Sequence, residues 1–252
     1  MKRSGTLKIG LSAAVILGLS LLLTVGLVQV EVAADAVEFD DPALEEAVRE
    51  AVGQEEGPLC PEKVASLKWF RPHDRGIESL EGIEQLKALE RLELNDNEIK
   101  EINSLTRLDN LNWLNLTGNN ITDISALGDM PDLKFLYLAQ NDIEDIAALS
   151  GLENLLLLNL SYNQVADIKP LAELEKLSVL KLDHNRVSDI AALGELDELS
   201  ILNLSYNRVK DISALTELEE LTSLHIKANN IEDEEPLQHL QNLKELTPEI
   251  SG

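Results

Sequence analysis

Five aspartates recur at a constant spacing of 22 residues and are the clearest candidates for chemistry in this 252-residue chain: Asp123, Asp145, Asp167, Asp189 and Asp211. If the chain coils with that period, their carboxylates lie one coil apart, where they could bind cations or accept hydrogen bonds from nearby backbone N–H groups. Their surroundings lack the oxygen-rich loop that calcium sites require. We therefore interpret the five carboxylates as capping groups of surface turns and predict no metal site.

Other residues with metal-binding or nucleophilic side chains are scattered along the chain. No pair of the four histidines, His73, His184, His225 and His239, has the spacing of zinc ligands. We interpret His184 and His225 as solvated surface residues. The single cysteine, Cys60, can form no intramolecular disulfide, and neighbouring glutamates disfavour its thiolate. Because no nucleophile stands beside a general base, the sequence predicts neither catalytic residues nor a cofactor.

The charge of the chain limits the partners that it can have. It carries 46 acidic and 21 basic residues, a formal net charge of −25. Such a surface repels nucleic-acid phosphates and anionic lipid headgroups, so we predict no nucleic-acid binding and no membrane attachment through the folded surface. Aromatic residues make up only 3% of the chain although apolar residues make up 44%. This composition indicates a core built almost entirely from aliphatic side chains.

The first 34 residues are predicted to be an export segment. Three basic residues among the first eight precede an uncharged, mostly apolar run over residues 9–28, which is the pattern of a signal peptide. Cleavage before Asp35 would leave 45 acidic and 18 basic residues, a net charge of −27. The run also approaches the roughly 20 residues that span a bilayer, so an uncleaved anchor is the alternative. In both cases the rest of the chain would lie outside the cytoplasm.

A repeat of 22 residues runs through most of the remaining chain. Leucine recurs at this spacing from Leu89 to Leu243 and, three residues later, from Leu92 to Leu246. A column of asparagines follows in seven repeats: Asn97, Asn119, Asn141, Asn163, Asn185, Asn207 and Asn229. Aliphatic residues occupy the other periodic positions, so the repeat predicts stacked coils with a continuous apolar interior.

The spacing within each repeat predicts the fold. Alternating leucines before the asparagine form a strand with one buried face. The asparagine turns the chain, because its amide can both donate to and accept from backbone groups that would otherwise be buried without partners. Coils stacked at about 4.8 Å then form an α/β right-handed solenoid. Its concave face is a parallel β-sheet, and its convex face consists of short turns or 3-10 helices.

The chain is therefore divided into four segments: an export segment over residues 1–34, a helical N-terminal cap over residues 35–66, the repeats over residues 67–246 and a C-terminal tail over residues 247–252. The repeats comprise one degenerate, seven regular and one truncated unit. Within the cap, a helix is predicted between Asp41 as N-cap and Gly53 at its C-terminal end. A second short helix is predicted near Pro61.

The repeat also resembles that of a known family. Residues 133–149, LKFLYLAQNDIEDIAAL, are similar to the leucine-rich repeat of the bacterial internalin family, and the segment that begins at Phe39 is similar to the helical cap of such proteins. The resemblance covers about residues 39–246. It implies a non-catalytic bacterial protein that binds another protein through its concave face. Together with the export segment, it implies a secreted protein or one on the extracellular face of the cell membrane.

Outward-facing side chains of the predicted sheet are the candidate binding residues for a protein partner: Trp69, Arg91, Trp113, Phe135, Tyr137, Leu157, Val179, Lys181 and Ile201. This face is nearly neutral in an acidic molecule, and four of the eight aromatic residues of the chain fall on it in positions expected to be exposed. Contiguous apolar surface of this kind is typical of interaction sites. The alternative is that these side chains only stiffen the sheet by cross-strand packing.

The predicted protein is a monomer whose membrane contact, if any, is through an uncleaved N-terminal segment. Two other functions remain open at this level. One is a structural spacer of the cell envelope, for which no residue of the concave face would matter. The other is a regulator or inhibitor of an extracytoplasmic enzyme.

Overall fold

One side of the molecule is a sheet of short parallel strands. The computed structural model describes residues 37–247. Over these residues it contains nine strands, paired in chain order: β1 Trp69–Phe70, β2 Arg91–Glu93, β3 Trp113–Asn115, β4 Phe135–Tyr137, β5 Leu157–Asn159, β6 Val179–Lys181, β7 Ile201–Asn203, β8 Ser223–His225 and β9 Glu245–Thr247. Each residue pairs with the one 22 positions further along the chain, as Arg91 does with Trp113. The predicted parallel sheet is confirmed.

The opposite side is built from 3-10 helices, one between each pair of consecutive strands: Ile83–Gln85, Asn103–Arg107, Ser125–Asp129, Ala147–Gly151, Lys169–Leu171, Ala191–Glu195, Ser213–Glu217 and Glu235–His239. The coils that begin with β2 to β8 therefore each consist of a strand, an asparagine turn and a 3-10 helix, which confirms the predicted solenoid. The last strand includes Thr247, a residue that the repeat pattern had assigned to the tail.

Aliphatic side chains fill the space between the sheet and the 3-10 helices. In the coil that contains β5, Leu158 and Leu160 are completely buried and Ile168 is 1% exposed. The equivalent residues of successive coils lie over one another, so each coil buries the same set of side-chain shapes. Among the described residues, Phe39 and Phe70 are the only buried aromatic side chains. The scarcity of aromatic residues follows from this regular stacking of small aliphatic layers.

The asparagine column connects each coil to the preceding one. Nδ2 of Asn119 donates hydrogen bonds to the carbonyl oxygens of Leu94 and Leu116, both at 3.0 Å. Oδ1 of the same side chain accepts a hydrogen bond from the N–H of Ile99, also at 3.0 Å. The other asparagines of the column repeat this arrangement. Over the described residues, no buried side-chain nitrogen or oxygen lacks a hydrogen-bond partner.

Two helices precede the first strand. Helix α1 spans Pro42–Val52, with Asp41 as its N-cap and Gly53, at a φ of 65°, as its C-cap. Helix α2 spans Pro61–Ala65. Both lie where the sequence predicts helices, and the apolar face of α1 joins the aliphatic core. No helix within residues 37–247 is long and apolar enough to cross a membrane. The predicted export segment lies outside the described residues.

Asp41 joins α1 to the first coil. One of its carboxylate oxygens accepts hydrogen bonds from the N–H groups of Ala43 and Leu44, at 2.8 and 3.1 Å. The other accepts from the N–H groups of Glu78 and Ser79, also at 2.8 and 3.1 Å. Burial by itself raises the pKa of the Asp41 carboxyl, but the four N–H donors outweigh burial, so that the pKa is lowered.

We expect the substitution Asp41→Asn to lower the free energy of unfolding by about 2 kcal/mol at neutral pH. The amide nitrogen that replaces one carboxylate oxygen cannot accept the two hydrogen bonds which that oxygen accepts in the wild type. Since the pKa is lowered by folding, the carboxylate stabilises fully above the ordinary aspartate pKa of about 3.9. This stabilisation is lost as the pH falls through the lowered folded-state value. The difference in stability between wild type and variant should therefore shrink on acidification.

Urea unfolding at neutral pH and at about pH 3 measures this difference, with both pH values chosen to bracket the aspartate pKa. The control is Asp40→Asn, since Asp40 is the exposed neighbour of Asp41. A difference between wild type and Asp41→Asn that stays constant with pH would contradict the assignment.

Candidate functional site on the concave face

The outward-facing residues of the sheet lie in rows that cross the strands. In-register pairing aligns the first row in this order: Trp69, Arg91, Trp113, Phe135, Leu157, Val179 and Ile201. The second row lies two residues further along each strand and includes Tyr137 and Lys181. Between the two rows, the intervening residue is buried in β1 to β8: it is Phe70 in β1 and a leucine in the other seven strands. All nine residues proposed from the sequence thus lie on one face, which we call the concave face.

Aromatic rings and an arginine pack together at the N-terminal end of the concave face. The guanidinium of Arg91 lies 3.9 Å from the ring centroid of Trp113, and that centroid lies 5.0 Å from the ring centroid of Tyr137. Trp69 is 64% exposed, whereas Trp113, Phe135 and Tyr137 are half-buried. The expectation that all four rings are exposed is therefore wrong for three of them, because side chains of neighbouring strands cover part of each ring.

Charges at this end of the face pair with one another. The carboxylate of Glu93 lies 3.1 Å from the guanidinium of Arg71 and 2.9 Å from that of Arg91. Lys181 is different: its side chain is exposed, and no carboxylate of the described residues lies within 4.0 Å of its ammonium. The concave face thus carries two arginines that share one carboxylate at its N-terminal end and an unpaired cation near its middle.

An apolar groove occupies the C-terminal half of the concave face. Its volume is about 470 Å³, and Leu157, Val179 and Ile201 are its apolar lining residues beside Tyr137. These three aliphatic side chains are half-buried although they belong to no core ladder. Lys181 also lines the groove, and so do His225 in β8 and Glu245 in β9. An apolar surface with a few polar groups around it is typical of an interaction site.

Three rings stack at the turn that follows strands β5, β6 and β7. The ring of His184 lies between those of Tyr162 and Tyr206, with centroid distances of 4.0 and 4.1 Å and interplanar angles of 13°. All three residues adopt a left-handed backbone conformation, with φ between 56° and 58°. The interpretation of His184 as a solvated residue is therefore wrong. Their common spacing of 22 residues was the signal in the sequence that could have indicated this stack.

His225 also has close partners, so its interpretation as a solvated residue is wrong as well. Its Nδ1 lies 2.7 Å from Oγ1 of Thr247, and its Nε2 lies 3.2 Å from Oγ of Ser223. The contact with Thr247 joins β8 to the last strand, whereas Ser223 belongs to β8 itself. The partners could not be anticipated because Thr247 lies beyond the recognisable repeat.

The aspartate column caps the turns before the 3-10 helices. Each of its five carboxylates accepts a hydrogen bond from the backbone N–H two residues later, at 2.8 to 3.0 Å. Such hydrogen bonds from Ser125 and Ser213 lower the pKa of Asp123 and Asp211, respectively. Residues 37–247 contain no group of three or more side chains placed to hold a metal ion. The interpretation of the column as turn-capping groups is confirmed.

Cys60 is half-exposed at the start of α2. Its Sγ lies 3.1 Å from the carboxylate of Glu62, to which the thiol donates a hydrogen bond. This hydrogen bond lowers the pKa of Glu62.

Comparison with known proteins gives the same architecture. A family model described as "Leucine Rich repeats (2 copies)" matches residues 109–151. Internalin C2 of Listeria monocytogenes is 36% identical, with a TM-score of 0.81 over 83% of this chain and 93% of that chain. The internalin InlF of the same organism is 31% identical, with a TM-score of 0.76 over 82% of this chain and 68% of that chain. No curated protein sequence matches.

A more distant match shows the fold alone. It is the leucine-rich repeat ectodomain of the plant membrane receptor kinase GASSHO1/SCHENGEN3 from Arabidopsis thaliana, in complex with CASPARIAN STRIP INTEGRITY FACTOR 2. Its identity is 24% and its TM-score 0.60, over 68% of this chain and 22% of that chain.

The parallel sheet, the 3-10 helices and the asparagine turns define a leucine-rich repeat protein. Domains of this class are generally non-catalytic and typically bind other proteins. At 36% identity to internalin C2 over most of both chains, the chain belongs to the internalin family of bacterial leucine-rich repeat proteins. The resemblance deduced from the repeat is thereby confirmed.

Proposed function

We propose that this protein is an exported, non-catalytic binding protein that recognises a protein partner through its concave face. One observation carries the proposal. A row of aromatic and aliphatic side chains from Trp69 to Ile201, interrupted only by Arg91, crosses seven strands on the side of the sheet away from the core. No helix or 3-10 helix of the described residues packs over it.

The residue types of this row favour binding. Tryptophan, tyrosine and arginine are the side chains that most often contribute strongly to protein interfaces. The contacts of Arg91, Trp113 and Tyr137 hold these side chains in place before a partner arrives, so that less side-chain entropy is lost on association. Cross-strand packing and partner binding are therefore compatible roles for the same rings.

The location follows from two further observations. The basic and apolar pattern of the first 34 residues favours export. Internalin-like relatives are typically surface or secreted bacterial proteins. We therefore place the protein outside the cytoplasm, secreted or on the extracellular face of the cell membrane, and propose that it acts as a monomer.

The double substitution Trp113→Ala and Tyr137→Ala is the test of this proposal. We expect the affinity for a captured protein partner to fall by at least about 100-fold, because interface aromatics of this kind contribute about 2 kcal/mol or more each. Pull-down with the immobilised protein, followed by titration of the partner so identified, measures the loss. Circular dichroism and thermal unfolding establish whether the variant retains its fold.

The matched control is Glu153→Ala with Glu175→Ala, which alters two exposed residues outside the strands. It should bind as the wild type does. Equal capture by wild type, aromatic variant and control would contradict the concave-face proposal. It would favour the structural spacer, or a regulator that uses another surface.

A further inference from the structure

Lys181 is the unpaired cation of the apolar groove. It lies in β6 two residues after Val179, so its stem borders the aliphatic lining formed with Leu157 and Ile201. At the N-terminal end of the concave face, Arg71 and Arg91 both form an ion pair with Glu93. Lys181 has neither an ion pair nor a side-chain hydrogen bond among the described residues. It is the one lysine among the residues that line the groove.

The amides beside Lys181 offer donors rather than acceptors. On the neighbouring strand, Oδ1 of Asn159 already accepts hydrogen bonds from the N–H of Ser161 at 3.0 Å and from its Oγ at 2.7 Å. Its Nδ2 donates no hydrogen bond within the described residues. On the other side, Nδ2 of Asn203 is engaged by Oδ1 of Asp183 at 2.9 Å. The groups still available are therefore the Lys181 ammonium and the Asn159 amide N–H.

From this arrangement we infer that the groove takes a segment of the protein partner in which an acidic side chain stands next to an apolar one. The carboxylate is held by Lys181 and Asn159, which are register partners on adjacent strands. The apolar side chain packs on Leu157, Val179 and Ile201. This inference deepens the proposed function and rests on it, since it specifies the chemistry that the concave face recognises.

Charge complementarity favours an acidic and apolar segment over a purely apolar segment or a basic one. A basic side chain in the groove would lie against the Lys181 ammonium, and like charges in contact repel. A neutral apolar segment would leave that ammonium and the Asn159 donor without new partners while removing water from them. A carboxylate satisfies both donors with charge-assisted hydrogen bonds. The acidic groups near the groove are already engaged. Asp183 accepts a hydrogen bond from the amide of Asn203. Glu245, which lines the groove in β9, three strands from Lys181, accepts one from Oγ of Ser223.

Two short peptides serve as probes of the groove: the capped peptide Gly-Leu-Glu-Leu-Gly and its uncharged counterpart Gly-Leu-Gln-Leu-Gly. Each is titrated to roughly 10 mM into the ¹⁵N-labelled full chain while amide chemical shifts are followed, because millimolar affinities are within reach of this method. We expect shifts centred on β5, β6 and β7. The glutamate peptide should bind about tenfold more tightly than the glutamine peptide, the value of one charge-assisted contact.

The substitution Lys181→Met removes the charge and keeps an unbranched apolar side chain. It should reduce binding of the glutamate peptide to the level of the glutamine peptide and leave the latter unchanged. The control Lys227→Met removes the same charge from another lysine of this face, one whose ammonium lies 5.8 Å from the ring centroid of Tyr206. It should leave the preference for glutamate intact.

Equal binding of the two peptides, absence of shifts at the groove, or a glutamate preference that survives Lys181→Met would each overturn the inference. The proposed function is tested separately, by capture of the protein partner. If Trp113→Ala with Tyr137→Ala abolishes capture while Lys181→Glu does not weaken it, the groove assignment fails and the concave-face proposal stands. If neither variant weakens capture, both fail.

Discussion

Replacing Asn119 by leucine is expected to lower the free energy of unfolding by about 2–4 kcal/mol, because one buried N–H is left unpaired and two carbonyl groups each lose a donor. The substitution removes a side chain that is 7% exposed and leaves the N–H of Ile99 without its partner. The carbonyl group of Leu94 loses one of its two donors and keeps the amide of Asn97. The carbonyl group of Leu116 likewise keeps the amide of Asn141. Each buried polar group left unpaired costs about 1–3 kcal/mol. Leucine also excludes the water molecule that a smaller residue could admit in its place.

The adjacent residue provides the control for this experiment. Asn120 has the same side chain but is exposed, and Asn120→Leu should change the stability by no more than about 0.5 kcal/mol. Chemical denaturation of both variants measures the contrast. Similar losses for the two would mean that the asparagine column does not hold the coils together in the way its hydrogen bonds indicate.

The substitution Leu158→Ala should cost about 2–5 kcal/mol of unfolding free energy. Leu158 is completely buried in the middle of its ladder, between Leu136 and Leu180 of the neighbouring strands. Truncation leaves a cavity that the surrounding coils cannot fill without disturbing their common register. Because stability in a solenoid depends on contacts between neighbouring coils, a defect in a central coil weakens two interfaces at once.

Leu157→Ala is the matched control, since it makes the same chemical change one residue earlier, on the half-buried concave face. We expect it to cost less than about 1 kcal/mol, as most substitutions outside a core do. Its larger effect should be on partner binding. Thermal or urea unfolding of the two variants measures the difference. A larger loss of stability for Leu157→Ala than for Leu158→Ala would contradict the assignment of the buried and outward faces.

Most of the fold could be predicted because it depends on period alone. Leucines at Leu92 and Leu114 are equivalent in the repeat, and the structure pairs them directly across β2 and β3. Once the register is known, the outward rows follow by counting, which is why all nine candidate residues lie on one face. The two N-terminal helices were also accessible, since Asp41 and Gly53 are recognisable end signals.

The details of the site depend on side-chain contacts that the period does not describe. The repeat places Arg91 and Trp113 side by side, but it does not say that the guanidinium lies over the ring and shields it. In the same way, the left-handed turn position accepts several residue types, so the stacking of His184 between two tyrosines was missed. Likewise, the sequence could not show that Lys181 has no ion pair, because this depends on the distances between its ammonium and the surrounding carboxylates.

The two ends of the described solenoid are held with unequal strength. At its start, Asp41 connects α1 to the first coil, because its carboxylate accepts two hydrogen bonds from the helix and two from the coil. At its end, the 3-10 helix Glu235–His239 buries no residue, and Leu246 is 40% exposed. Under a stretching force the coils should therefore come loose one after another from the C-terminal end. Each 22-residue coil would release about 75 Å of extended chain. Under such a force, the molecule would therefore lengthen in equal steps and would not unfold in a single event.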